Sequence, residues 1–180
     1  MSHSRALLAL AVLCTACGDN RLGDAFFENT VDTLTISSLE GTPVSAPSAY
    51  SIPDDRLVRP DLTTGFDFVY LVRDGRHLLI PLDALGLGGR GSNPGLQQST
   101  AAFDALVDPP TSGYVSDDSV AVAVGDVLVA RSRIACVLSV PQYAKLEVLA
   151  IDAAARTLTF RVMANTNCGY RQLGPGIPRN

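Results

Sequence analysis

An all-β fold, an antiparallel sandwich or a partly closed barrel with one short helical turn, is what this sequence predicts. Three observations carry the prediction. Apolar and β-branched residues alternate with a period of two in a series of short stretches. Gly, Asp, Asn and Pro punctuate those stretches at close, regular intervals. No stretch sustains a 3.6-residue apolar period beyond a turn or two, and no internal repeat of fixed period is present.

The chain opens on an export signal. Residues 1–5 carry one positive charge, Ala6 to Leu13 form an unbroken apolar run, and Thr15-Ala16 place small residues before Cys17. The run is too short to span a bilayer as a helix. The ending Leu13-Cys14-Thr15-Ala16-Cys17-Gly18 resembles the lipobox of bacterial lipoproteins, although Cys14 stands where Leu or Val is usual. The resemblance implies cleavage before Cys17, acylation of Cys17 (palmitate being a common acyl group) and a chain tethered to a membrane. Gly18 after that cysteine, where Asp marks inner-membrane retention, points to the outer membrane. The expected organisation is a signal peptide at 1–16, a tether at 17–30 and a single β domain at 31–180, with Phe26-Phe27 packing onto the domain.

Within the domain, Val31 to Leu39 alternates as a strand and Glu40-Gly41-Thr42-Pro43 ends it. Four prolines between residues 43 and 60 limit any strand there to a short or edge one. Phe66 to Val72, the turn Asp74-Gly75 and His77 to Ile80 form a hairpin. Phe66, Phe68, Tyr70 and Val72 share one face, and Val69 and Leu71 make the other apolar, which places the strand centrally in a sheet. Leu85 to Ser99 is glycine-rich and reads as a mobile loop. Thr100 to Leu106 reads as one or two helical turns capped by Ser99 or Thr100. Val120–Val124 and Val127–Ser132 flank Gly125-Asp126 as a second hairpin, Ile134–Val140 is a further strand, and Lys145–Asp152 with Thr157–Met163 is a third hairpin. Residues 174–180 read as frayed.

Composition narrows the function. Signal removal leaves 164 residues, enough for one well-packed domain, with 13 basic and 18 acidic side chains, a net charge of −5. That acidity, with no basic stripe, argues against nucleic acid and against electrostatic docking on anionic lipid. Lys145 is the only lysine, which we read as codon usage without functional weight. Of four cysteines, Cys14 leaves with the signal and Cys17 is acylated. Cys136 and Cys168, 32 residues apart in an exported chain, are expected to form a disulfide.

The candidates for chemistry are weak. Gly86-Leu87-Gly88-Gly89-Arg90-Gly91 has the spacing of a dinucleotide fingerprint, yet no helix start follows it. His77 is the only histidine of the mature chain, sits beside a turn, and has no Gly-x-Ser-x-Gly elbow to serve. Asp117-Asp118 with Asp126 matches no EF-hand loop, so no metal site is expected. Asp74, Asp83, Asp108 and Asp126 lie at turns, where Asp is favoured locally, so a hydrolase remains the weaker alternative to a non-enzymatic module. No catalytic residue and no cofactor is assigned.

Three stretches together resemble the HmuY-like family of lipid-anchored haem-scavenging proteins. They are Gly65-Phe66-Asp67-Phe68-Val69, with Phe66 where Trp is commoner; Phe103 to Asp118, through Asp108-Pro109 and Gly113-Tyr114; and Tyr143-Ala144-Lys145-Leu146-Glu147-Val148 followed by Thr157–Val162. The resemblance spans a little over half of the chain and implies an all-β fold at the cell surface or facing the periplasm. The haem ligands do not transfer, because the best-known members of that family use paired histidines; His77 with Met163 is the only axial pair left to look for. The functional expectation is a lipid-anchored binding or interaction module of the cell envelope, its partner a protein or a small apolar ligand. The alternatives are a carrier of haem or another apolar ligand and a subunit of an envelope assembly.

Overall fold

A computed structural model describes residues 23–89 and 93–178. Ten strands make two five-stranded antiparallel sheets packed as a sandwich, with no closed barrel. The strands are β1 (Asp32–Ser37), β2 (Ala49–Ser51), β3 (Arg56–Val58), β4 (Phe68–Arg73), β5 (Arg76–Pro81), β6 (Gly95–Ser99), β7 (Val120–Ala121), β8 (Val127–Arg131), β9 (Tyr143–Asp152) and β10 (Thr157–Asn165). One sheet runs β1-β10-β9-β8-β6 and the other β3-β2-β4-β5-β7.

The period-two pattern decides what faces the space between the sheets. Leu158, Phe160, Val162 and Ala164 of β10 all point inward, as do Ala144, Leu146 and Val148 of β9. The β9–β10 register shifts between Thr159 and Phe160, so Leu149 is the extra residue of a bulge and Ile151 regains the inward face. From the facing sheet Tyr50, Phe68 and Tyr70 close the layer, and Tyr50 meets Phe160 edge-on with ring centroids 6.0 Å apart.

Asp74 (φ 51°) and Gly75 (φ 74°) both take the left-handed conformation, which matches the twist of the flanking β4 and β5. β4 is third of five strands and buried on both faces, as its double-sided apolar pattern predicts. Phe66 departs from that pattern. It precedes β4 and packs with Val69 and Leu71 on the outer face. The proline-rich segment yields only the three-residue β2 and β3, and β3 lies on the edge.

Several expectations give way. Gly95–Ser99 is a strand, β6, because Gly95 lets the backbone approach Tyr114 and Val115 where a Cβ would lie 2.8 Å from the Tyr114 side chain. The Gly125-Asp126 turn does not make a hairpin: β7 pairs with β5 while β8 pairs with β6 and β9, so the turn carries the chain from one sheet to the other. Ile134–Val140 is not a strand. Ser139 takes φ 55° and its N–H donates to the Cys136 carbonyl at 3.0 Å, which folds the segment into a turn. The helical turn shrinks to a single 3-10 turn, Phe103–Ala105, with no side-chain cap, and Ser99 Oγ accepts the Ala101 N–H instead. A second 3-10 turn, Asp83–Leu85, follows β5.

The described C-terminal residues are not frayed. Asn29 and Gly176 exchange both backbone hydrogen bonds, and the Leu173 N–H donates to Val107 at 2.7 Å. Together with the Phe103–Leu106 segment, this C-terminal run covers the outer face of the first sheet.

Candidate functional site at the disulfide end

β8 and β10 end, and β9 begins, at one end of the first sheet, so residues 132–142 and 166–172 leave it side by side. Cys136 and Cys168 join these two connections in a disulfide, their Cα atoms 5.6 Å apart. Ser132 and Gln142 extend the ladder below it: the Ser132 N–H donates to the Gln142 carbonyl and the Gln142 N–H to Ser132 Oγ, both at 2.8 Å. The Gln142 side-chain amide donates in turn to the Thr166 carbonyl.

Asn167 organises the remainder. Its Oδ1 accepts from the N–H groups of Phe26 (2.9 Å) and Phe27 (3.0 Å), and its Nδ2 donates to the Phe27 carbonyl (2.8 Å). The Tyr170 hydroxyl donates to the Gly23 carbonyl. Asn29 reaches from the same segment to the Gln172 and Gly174 carbonyls. The N-terminal segment is therefore fastened by its backbone while its phenylalanine side chains face outward. Phe26 is 83% exposed and Phe27 62%, contrary to the expectation that they pack onto the domain.

The tip of the disulfide turn matches them: Val137 is 94% exposed and Leu138 is half-exposed. Phe26, Phe27, Val137, Leu138 and Tyr170 line one groove of about 350 Å³. Leu138 also borders a second groove of about 280 Å³ with Val140, Pro141 and Arg171. Phe26, Phe27, Val137, Leu138 and Val140, all exposed, thus gather around one disulfide, beside the buried Tyr170.

The other sequence candidates are dispersed. Cys17 lies outside the described residues, as do Cys14 and the Arg90-Gly91 end of the glycine motif. What is described of that motif does not cradle a phosphate. It follows a 3-10 turn, and a Cβ at Gly88 would overlap the Asp83 carboxylate, so the glycine serves close packing against an acidic group. His77 accepts or donates at Nδ1 to the Tyr70 hydroxyl, 2.6 Å away, with the two rings stacked. Burial pushes the Tyr70 hydroxyl up to about 12, so it remains a protonated partner at neutral pH. Met163 lies in the other sheet, on its outer face with Val129 and Leu173, so His77 and Met163 are not brought together. Asp118 accepts from the Ser119 N–H and Asp126 from the Ala123 N–H, and no cluster of three His, Cys, Asp or Glu side chains suited to a metal occurs among the described residues.

Two residues that sequence reasoning passed over matter to the architecture. Asp67, 1% exposed, accepts from the Ile52 and Arg133 N–H groups (2.7 Å each) and from Arg133 Nη1 (3.1 Å). It clasps the start of β4 to the chain leaving β8, one residue from each sheet. Burial pushes its carboxyl up, against the pull of the Arg133 charge and the two amides. Lys145 was given no weight, yet it is 1% exposed. Its Nζ donates to the Leu106 carbonyl at 2.9 Å and lies 4.7 Å from the centre of the Phe103 ring. Burial lowers its pKa, with Asp104 acting in the opposite direction. A single lysine set among apolar residues in a strand was the signal available; an ammonium on the outward face of an ordinary strand would be wet.

No protein-family model, no curated protein sequence and no solved structure matches this chain.

Proposed function

We propose that this protein is a lipid-anchored interaction module of the cell envelope, exported through residues 1–16, acylated at Cys17 and held at the outer membrane. The reading rests on one observation above the others, the run Leu13-Cys14-Thr15-Ala16-Cys17-Gly18 behind a short apolar segment. The bonded Cys136–Cys168 pair fits the oxidising compartment such a signal leads to. A sandwich that holds its connecting loops rigidly fits recognition of a partner by those loops. The interlayer space is filled by Tyr50, Phe68, Tyr70 and Phe160, which favours a surface contact over carriage of a ligand inside the fold.

The test is metabolic labelling with an alkynyl fatty acid in a bacterium expressing the full chain, beside its Cys17→Ser variant. The wild type should carry label, partition with the outer membrane and have lost its first sixteen residues by intact mass. Equal labelling of both chains, or none in the wild type, would refute the anchor.

A further inference from the structure

We infer that the exposed apolar side chains at the disulfide end form a second membrane contact, which seats the domain on the bilayer surface beside its acyl anchor. The inference rests on acylation at Cys17 and adds to it an orientation.

Chain length supplies the first argument. Gly23 is fastened to the domain through the Tyr170 hydroxyl, and only six residues of sequence lead back from it to Cys17. Six residues reach at most about 20 Å when fully extended. An acylated Cys17 at the bilayer surface therefore keeps this end of the sandwich within about 20 Å of the headgroups. The opposite end, where β10 begins, lies the length of a nine-residue strand farther away.

Side-chain placement supplies the second. Phe26, Phe27, Val137 and Leu138 all line the groove at the point where the chain leaves the domain. Their backbones are pinned by Asn167 and by the Cys136–Cys168 bond. Apolar residues held in water gain by entering the acyl boundary, and with their backbones already fastened the ordering cost of doing so falls mainly on the side chains. The far end is built differently: Glu40 pairs with Arg73, and Arg156 donates to the Glu40 and Val72 carbonyls, so the exposed Leu39 and Val44 of that loop stand among charged side chains.

Charge selects the kind of surface. Asp24 and Glu28 flank the two phenylalanines and are exposed, while Arg171 is engaged with the Pro109 and Pro110 carbonyls. The patch therefore suits a zwitterionic headgroup layer entered by apolar side chains, rather than an anionic surface held by cations.

The chain contains no tryptophan, so single tryptophans report cleanly. Full-length protein carrying Phe27→Trp or, as the far-end control, Val44→Trp is purified from membranes in its acylated form and reconstituted into phosphatidylcholine vesicles with or without bromine on the acyl chains. Both replaced side chains are largely exposed, so neither variant strains the fold. Intact mass of each sample reports acylation independently. The expected result is acylated protein in which Phe27→Trp emission shifts to the blue and is quenched by the brominated lipid while Val44→Trp emission is unchanged. Acylated protein in which neither position is quenched, or both are, overturns the seating and leaves the anchor standing. A blue shift at Phe27→Trp without quenching assigns the patch to contact with a second copy of the chain and also overturns the inference. Absence of acylation overturns the anchor and the seating together.

Discussion

Asp67 shows how a single side chain can hold two layers in register. Both of its carboxylate oxygens accept backbone N–H groups, and Arg133 adds a charge at 3.1 Å. Asp67→Asn would turn an amide NH₂ toward one of those donors, so it should cost about 3 kcal/mol, the scale of breaking a buried pair by removing one partner. The shift of the urea midpoint measures it, and an unchanged midpoint would mean that the clasp does not hold the sheets. Lys145 makes a different prediction. Because burial lowers its folded pKa below the ordinary lysine value, the unfolded chain binds more protons between those two values. Stability from this residue therefore grows as pH rises through that interval to 10.5, the unfolded value. Subtracting the pH–stability profile of Lys145→Met from that of the wild type should leave a positive slope in that interval. A flat difference would show that the ammonium is no worse off inside than in water.

At the scale of elements, the informative case is the turn at Gly125-Asp126. The Ala123 N–H donates to Asp126 Oδ2, and the Gly125 N–H reaches the Val148 carbonyl, so the tight turn is present where the sequence places it. Its two arms nevertheless enter different sheets, because Val120-Ala121 finds an open edge on β5 while Val127–Arg131 is enclosed by β6 and β9. Turn chemistry is local, whereas the choice of partner strand is settled by what each arm can bury. The disulfide acts on the same scale. It closes a loop spanning 32 positions that contains β9 and β10, the two longest strands. Removing it in a Cys136→Ser/Cys168→Ser double variant should lower stability by roughly 3–4 kcal/mol through loop-closure entropy. Urea unfolding under non-reducing conditions would register the loss, and equal midpoints would show that the unfolded chain is already constrained there.

For the whole molecule, the two sheets share one interlayer core and are further joined by the Asp67–Arg133 clasp, the Leu39 N–H to Tyr70 carbonyl bond and the Arg156 bond to the Val72 carbonyl. Neither sheet can expose its inner face without the other, so unfolding should be a single cooperative transition. Far-ultraviolet dichroism and tyrosine absorbance should report the same midpoint. Two separated transitions would show that one sheet survives alone.

The sequence by itself determined the fold class, the Asp74-Gly75 hairpin, the β9–β10 hairpin and the pairing of Cys136 with Cys168. Each depends on local pattern, namely side-chain alternation, positive-φ residues at turns, and a count of cysteines. Tertiary structure alone decided that Gly95–Ser99 becomes a strand, that Ile134–Val140 bends into a turn, that the sole lysine is buried, and that Asp67 reaches across to Arg133. It also decided that Phe26 and Phe27 meet Val137 and Leu138 around Asn167, more than a hundred residues distant in the chain. Such placements follow from which surfaces compete for burial once the sheets form, a long-range balance of desolvation and loop closure that no short window of sequence contains.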